Sequence, residues 1–170
     1  MLQRIALYLA LGALVLTSGC ESYDFTVNDR IVYTPAPLFS KFETADPALF
    51  ECLKQSIIEN KVTAAEQLTG LICTHGGISD LEGLGIFRGL TRLKLSSNTI
   101  GDLTHLEPLT ALEALHLDNN NVVDPSPLYH LQGLRLVNLT GNKNLDCPPA
   151  KAFPTVEQVM LPEHCSKRGE

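Results

Sequence analysis

The sequence lacks the motifs that mark most enzymes and nucleic-acid-binding proteins. It has no Gly-rich phosphate loop, no G-x-S-x-G nucleophile elbow and no H-E-x-x-H metal-binding pair. It carries 13 lysine and arginine residues against 19 aspartate and glutamate residues, a net charge of −6. Nucleic-acid phosphates need clustered positive charge, so this balance argues against a nucleic-acid partner. We expect no enzymatic activity and no cofactor.

The apolar segment near the start is too short for a membrane-spanning helix. Residues 5–16 are apolar, whereas a spanning helix needs about 20 such residues. With Arg4 as the positive start, residues 1–19 are predicted to be an export signal. Residues 16–20, LTSGC, resemble a bacterial lipobox, which implies that Cys20 is lipidated and becomes the new N-terminus. An ordinary cleavable signal followed by an incidental cysteine is the alternative.

The residue after the cysteine bears on localisation. Similar lipoproteins that stay in the inner membrane commonly carry Asp there, and this chain has Glu21. The resemblance therefore implies anchoring in the bacterial outer membrane on its periplasmic face, with the inner membrane as the alternative. Stable anchoring would take two or more acyl chains.

What the sequence has in abundance is leucine at a fixed spacing. Between residues 68 and 145 the same residue types recur every 22 positions. This spacing resembles the leucine-rich repeat, L-x-x-L-x-L-x-x-N-x-L, in the 22-residue class of internalin-type bacterial proteins. The recurring columns are Leu68, Leu90, Leu112 and Leu134; Leu71, Leu93, Leu115 and Val137; Cys73, Leu95, Leu117 and Leu139; Gly76, Asn98, Asn120 and Asn142; and Asp80, Asp102, Asp124 and Asp146.

The resemblance implies an α/β fold: a right-handed solenoid with short parallel strands on its concave face. Leu93 and Leu95 alternate with polar residues, so they are expected to point inward from such a strand. We expect the Asn column to satisfy backbone groups that the turns would otherwise bury unpaired. The Asp column is expected to start the return segments as helix N-caps, each leading into a short α or 3₁₀ stretch.

An array of stacked repeats needs a cap at each end. Asp46 followed by Pro47 predicts a helix that runs to about Asn60, and Thr63 with Glu66 fits a capping box. The predicted organisation is a signal peptide (1–19), a lipid-anchored tether or arm (20–45), an N-terminal helical cap (46–67), four repeats (68–145) and an irregular C-terminal cap and tail (146–170), in which residues 156–161 form a possible last strand.

The arm is too apolar for a flexible spacer. Phe25 and Val27 alternate like a strand, and Asn28 with Asp29 fits a turn before Ile31. We expect part of residues 21–45 to pack along the solenoid or its first cap; a partner-binding segment is the alternative.

Four cysteines remain after Cys20, and they allow three pairings. Cys73 lies in the first repeat and Cys147 just past the fourth, about 14 Å away at three strand spacings. A disulfide needs Cα atoms within about 7 Å. We therefore predict the pairs Cys52–Cys73 and Cys147–Cys165, one in each cap. A metal site is the alternative, but no two of these cysteines have the C-x₂₋₄-C spacing typical of zinc.

The repeat register also places side chains on the concave face, where leucine-rich-repeat proteins usually bind partners. The columns there are predicted to be Gly70, Arg92, Ala114 and Leu136; Ile72, Lys94, His116 and Asn138; and Thr74, Ser96, Asp118 and Thr140. A basic spot with apolar edges would suit a peptide or an acidic loop. The candidate partner-binding residues are Ile72, Arg92, Lys94, His116, Asp118, Leu136 and Asn138.

Two alternatives to specific binding stay open at this face. The first is that these side chains are ordinary solvated residues of a strand and bind no partner. The second is that His116 and Asp118 form a general base and the carboxylate that orients it. The best hypothesis is a lipid-anchored module that binds an envelope protein or peptide. The alternative is a structural envelope protein that acts by self-association or by contact with cell-wall glycan.

The lipobox resemblance yields a direct test. We expect Cys20→Ser to move the protein from the membrane fraction to the soluble fraction, because the acylated thiol would be its only anchor. Fractionation of cells that express each form measures this. A Cys20→Ser protein that still pellets with the membrane would reject lipidation.

Overall fold

Short strands recur at the predicted spacing in the computed structural model, which describes residues 25–28 and 30–166. Cys20, the proposed signal peptide and Glu21 lie outside the described residues. The described elements, in chain order, are β1 (Phe25–Val27), β2 (Arg30–Tyr33), α1 (Pro47–Glu59), β3 (Gly70–Ile72), β4 (Arg92–Lys94), β5 (Ala114–His116), β6 (Leu136–Asn138), β7 (Gln158–Met160) and α2 (Glu163–Ser166).

Strands β3 to β7 form one parallel sheet in sequence order. Leu71, Leu93, Leu115, Val137 and Val159 pair directly across it, each 22 residues after the one before. The predicted parallel ladder is therefore confirmed, and β7 makes the predicted last strand a fifth rung in the same register. Each step between rungs is about 4.8 Å.

The asparagine column lies buried at the ends of these strands. The Asn98 side-chain oxygen accepts hydrogen bonds from the backbone N–H of Gly76 (3.0 Å) and Ile78 (3.1 Å). Its amide nitrogen donates to the carbonyls of Cys73 (2.8 Å) and Leu95 (2.9 Å). Asn120 bonds in the same way to Ile100, Leu95 and Leu117, and Asn142 to Val122, Leu117 and Leu139.

Each of these asparagines therefore joins two neighbouring repeats through groups that would otherwise be buried without partners. Among the described residues, no buried side-chain nitrogen or oxygen lacks a hydrogen-bond partner. The predicted role of the column is confirmed.

The residue before each column position has a left-handed backbone. The φ angles are 57° at His75, 59° at Ser97, 56° at Asn119 and 77° at Gly141. This conformation costs a residue with a Cβ about 1–2 kcal/mol, and only Gly141 adopts it freely. The geometry of the turn therefore imposes a left-handed backbone on His75 and Ser97, although neither residue type favours it. The sequence does not predict this conformation.

The return segments are 3₁₀ turns, at Leu84–Ile86, Thr104–Leu106 and Ser126–His130. The N-cap positions of these turns are Gly83, Leu103 and Pro125, not residues of the Asp column, so the N-cap prediction is wrong in detail. Asp102 Oδ1 instead accepts from the Thr104 N–H at 2.8 Å, an Asx turn that leads the chain into the 3₁₀ segment. The capping-box prediction is also wrong, because Thr63 bonds to the Gln67 side chain (2.9 Å) rather than to Glu66.

Helix α1 covers the leucine core at the β3 end of the sheet. Its buried residues are Leu49, Leu53 and Ile57, which lie on one face of the helix, whereas Ile58 is exposed. Asp46 caps the helix through Oδ1, which accepts from the N–H groups of Ala48 and Leu49.

The other oxygen of Asp46 reaches the first repeat. Oδ2 accepts from the Ser79 N–H at 2.7 Å, the Ser79 hydroxyl at 3.1 Å and the Asp80 N–H at 3.2 Å. One buried carboxylate therefore fixes the helix start and its docking on the repeats.

The predicted packing of the arm is confirmed for its last part. Phe39 and Phe42 pack against the core, with both rings less than 6 Å from the Phe87 ring. The described residues from Phe25 to Pro37 belong to a separate compact unit, in which β1 and β2 pair as an antiparallel hairpin. Asn28 forms its turn with a φ of 50°, as the sequence predicts; Asp29 lies outside the described residues.

Both disulfides form the pairs that the register predicts. Cys52 on α1 joins Cys73 at a Cα distance of 6.0 Å, and Cys147 joins Cys165 on α2 at 5.2 Å. Each closes a loop of about 20 residues, worth on the order of 3 kcal/mol in the chain-entropy account. Each bridge holds a segment at one end of the sheet. In the part of the chain that is described, no helix has the length and apolarity needed to cross a membrane.

The buried asparagines predict a large stability effect. Asn120→Ala leaves the buried Ile100 N–H without its partner. It also removes one of the two asparagine donors from each of the Leu95 and Leu117 carbonyls, so we expect a loss of about 2 kcal/mol in the free energy of unfolding. Urea denaturation monitored by circular dichroism measures it. The matched control is Asn121→Ala, at the next position, where the side chain is exposed. Equal losses in the two variants would contradict the role of the column.

Asp46 predicts a pH dependence of stability. Burial of the carboxyl raises its pKa, but hydrogen bonds from the backbone of Ser79, Leu49 and Asp80 outweigh this and hold the pKa below its ordinary value. The stabilisation that the ionised Asp46 carboxylate provides is complete above its pKa in the unfolded protein, about 3.9. It is lost as pH falls through the lower pKa of this carboxyl in the folded protein.

We therefore expect Asp46→Asn to have a lower free energy of unfolding than the parent protein at pH 7. The difference between the two proteins should become smaller as pH falls below 4. Urea midpoints at pH 7, 4 and 2.5 measure both effects. A difference in stability that stays constant from pH 7 to pH 2.5 would contradict the ionic role of the carboxylate.

Candidate binding face

The sheet has one face against the leucine core and one open face. We define the open face by the outward positions of β3 to β7 and the residues that follow them. The register aligns them as Gly70, Arg92, Ala114, Leu136 and Gln158; Ile72, Lys94, His116, Asn138 and Met160; and Thr74, Ser96, Asp118 and Thr140. All seven predicted partner-binding residues lie on this face.

A cleft of about 450 Å³ lies where the open face meets the end of α1. We call it the helix–sheet cleft. Its volume is within the usual range of ligand sites, about 300–1,000 Å³. The α1 side is lined by Ser56, Glu59 and Asn60, and the sheet side by Gly70, Ile72, Arg92, Lys94, Ala114 and His116, together with the backbone of Leu71 and Leu93.

The floor of the cleft is open because its first position has no side chain. A Cβ built on Gly70 would meet no atom within 4 Å, and Gly70 does not have a left-handed backbone. Beside it, Ile72 at the end of the edge strand β3 is 70% exposed, so its apolar side chain is open to solvent. The β3 end of the open face is therefore apolar and recessed.

Two cations stand next to this apolar floor. Arg92 and Lys94 alternate with buried Leu93, so both side chains leave β4 on the open face, and both are exposed. The ion pairs formed among the described residues lie elsewhere, at Lys54–Glu51, His105–Asp80 and Arg135–Glu157. Within that part of the chain, Arg92 and Lys94 thus have no acidic partner, and both charges are available to a ligand.

The third column carries a fixed polar network. Asp118 accepts from the Ser96 hydroxyl at 2.7 Å and from the Asn138 amide at 3.2 Å through the same oxygen, and from the Asn119 amide through the other. Asn138 in turn accepts from the Thr140 hydroxyl at 2.8 Å. His116 is not among the Asp118 partners, so the base-and-orienter pair considered from the sequence does not form in the described structure.

One cluster has the spacing of metal ligands. The ligand atoms of Cys147, His164 and Cys165 lie within 4.8 Å of one another. The two sulfurs are bonded to each other, and His164 Nε2 lies 2.9 Å from the Leu145 carbonyl oxygen. With the disulfide closed, this cluster cannot supply thiolate ligands.

Sequence reasoning missed two parts of the site. Gln158 and Met160 extend the first two columns, and a further step of 22 residues from Leu136 and Asn138 would have found them. Ser56 and Glu59 were missed for a different reason. They are polar residues on a helix whose position against the sheet depends on its buried face, and no sequence periodicity reports that position.

Comparison with solved structures supports the fold. An internalin (inlF) from Listeria monocytogenes matches with a TM-score of 0.57 and 22% identity, over 68% of this chain and 44% of that chain. The functional domain of InlJ from Listeria monocytogenes, described as including a cysteine ladder, matches with a TM-score of 0.51 and 29% identity, over 56% of this chain and 20% of that chain.

This chain therefore spans less than half the length of either matched structure. No model of a protein family and no curated protein sequence matches it. The similarity to the two internalin structures, together with the parallel ladder at a 22-residue step, shows that the chain has the leucine-rich-repeat fold.

Proposed function

We propose that this chain is a lipid-anchored, non-enzymatic interaction module of a bacterial envelope, which binds a partner protein or peptide on its open face. The observation that carries the proposal is the helix–sheet cleft. There Arg92 and Lys94, which have no acidic partner among the described residues, adjoin the exposed apolar side chain of Ile72. Arginine beside apolar surface is typical of the residues that dominate binding energy in protein interfaces.

The rest of the proposed organisation follows from the sequence. We infer a right-handed solenoid of the 22-residue internalin-type class, capped by α1 at one end and by the segment after β6 at the other. Parallel strands joined by crossovers are right-handed in about 98% of cases, which supports the handedness. The acyl chains on Cys20 would hold the module on the periplasmic face of the outer membrane, or alternatively on the inner membrane.

The size of the open face limits its partner. Fourteen outward positions on five strands are fewer than the 20–30 residues that each side of a standard interface contributes. A peptide or a single loop of a partner protein fits this area, and the affinity would be modest.

Photocrosslinking in intact cells tests the proposal. We expect p-benzoylphenylalanine in place of His116, on the open face, to form an adduct with a different protein. The matched control is the same replacement of His130, an exposed histidine on the return segment Ser126–His130. Adducts are detected by their mass on gels and identified by mass spectrometry.

The pattern of adducts separates the alternatives. A heterologous adduct from position 116 and none from position 130 supports a binding module. Adducts with a second copy of the chain or with wall sugars would instead favour the structural role. Equal heterologous adducts from both positions would contradict a specific role for the open face.

A further inference from the structure

Helix α1 contributes more than cover for the core, because its last turn lines the same cleft as the open face. Ser56, Glu59 and Asn60 form one wall, and the strand residues from β3 to β5 form the other. The position of this wall is fixed, since α1 is held by the Cys52–Cys73 bridge, by the Asp46 hydrogen bonds and by its three buried apolar residues. A fixed wall needs no reorganisation when a ligand enters.

The two walls carry opposite charge. Arg92 and Lys94 stand on the sheet side without an acidic partner among the described residues, and His116 lies beside them. The α1 side presents Glu59, which accepts a hydrogen bond from Gln55 at 2.8 Å, and the carboxyl end of the helix, which bears partial negative charge. A purely anionic ligand would gain from one wall and be repelled by the other.

The floor between the walls is apolar and lacks a side chain at Gly70, with Ile72 exposed beside it. This combination selects for shape as well as charge. A ligand that fills the cleft needs a narrow backbone, an apolar side chain to cover Ile72 and a carboxylate that reaches Arg92 and Lys94. An extended peptide with an acidic residue next to an apolar one has all three.

On the basis of the proposed function, we infer that the helix–sheet cleft is the specificity-determining part of the open face. It takes an extended peptide segment that carries a carboxylate beside an apolar side chain, and Glu59 on α1 sets how much negative charge the segment bears. The N-terminal helical element is then half of the binding site. The β7 end of the open face contributes little to this recognition.

Two synthetic hexapeptides serve as probes, both acetylated at the N-terminus and amidated at the C-terminus. One has the sequence Gly-Leu-Glu-Glu-Leu-Gly, and the other has lysine in place of both glutamates. Binding to the full chain, purified with its disulfides intact, is followed by ¹⁵N-edited NMR at 150 mM salt. We expect the acidic peptide to bind at least tenfold more tightly than the basic one and to shift the amides of residues 70, 72 and 92.

The variants are matched by column and by charge. Gly70→Phe fills the cleft and should raise the Kd of the acidic peptide at least tenfold. Gln158→Phe, in the same column on β7, should change this Kd less than twofold. Glu59→Lys should tighten binding several-fold, whereas Glu51→Lys, the same charge change outside the cleft, should not. Arg92→Glu with Lys94→Glu should reverse the preference, so that the basic peptide binds better.

Each contrary result overturns the inference. Equal affinity for the two peptides rejects the charge selection, and an unchanged Kd in Glu59→Lys rejects the role of α1. If Gln158→Phe weakens binding of the acidic peptide and Gly70→Phe does not, the binding site lies at the β7 end of the open face. The cleft inference then fails, and the proposed function is unaffected. If an acidic polysaccharide binds and neither peptide does, the inference that the cleft takes a peptide is rejected. If neither peptide binds while position 116 still forms heterologous adducts in cells, only the cleft inference fails; if those adducts are also absent, the proposed function fails too.

Discussion

The hydrogen bonds of three buried asparagines are the constraint on which the rest of this structure depends. A chain that turns back at the end of every short strand buries backbone N–H and C=O groups, and each group left unpaired costs about 1–3 kcal/mol. Asn98, Asn120 and Asn142 satisfy these groups, and each reaches both its own repeat and the one before it. Because each side chain meets partners at fixed distances in two repeats, it holds the strand ends and turns of neighbouring repeats in register.

The two ends of the sheet are completed in different ways. At the β3 end, α1 supplies apolar side chains, and one carboxylate, that of Asp46, bonds to the helix start and to the first repeat together. At the other end, β7 continues the ladder, and the Cys147–Cys165 bridge holds the segment that follows it. The inward residue of β7, Val159, remains 39% exposed, whereas its four counterparts on β3 to β6 are almost completely buried. The β3 end is thus the more completely covered, and it is also the end that bears the helix–sheet cleft.

The open face is chemically uneven, and the unevenness has a structural origin. Its third column is occupied by hydrogen bonds among Ser96, Asp118, Asn138 and Thr140, so the capacity of these side chains to bind a partner is partly used within the protein. The first two columns near β3 and β4 are different, because Gly70 leaves space and Ile72 leaves apolar surface. In addition, the two β4 cations have no acidic partner in the part of the chain that the structure describes. Binding free energy is therefore more readily gained at the α1 end, where desolvation of Ile72 adds to ionic contacts with Arg92 and Lys94.

The sequence by itself determined the ladder, its register, the inward leucines, the asparagine bonds, the start of α1 and both disulfide pairs. All of these follow from a repeated spacing or from a local capping signal, and each such signal is carried by residues whose partners lie a fixed number of positions away. Only the tertiary structure decided that His75 and Ser97 adopt a left-handed backbone and that Phe39 and Phe42 pack on Phe87. It also decided that Asp80, Asp102 and Asp124 form Asx turns ahead of the 3₁₀ segments rather than capping them. The docking of α1 also decided that Glu59 and Arg92 line the same cleft. Those features depend on how a helix and a preceding segment dock on the first repeat, and docking is set by the summed fit of many side chains, which no fixed spacing along the chain encodes.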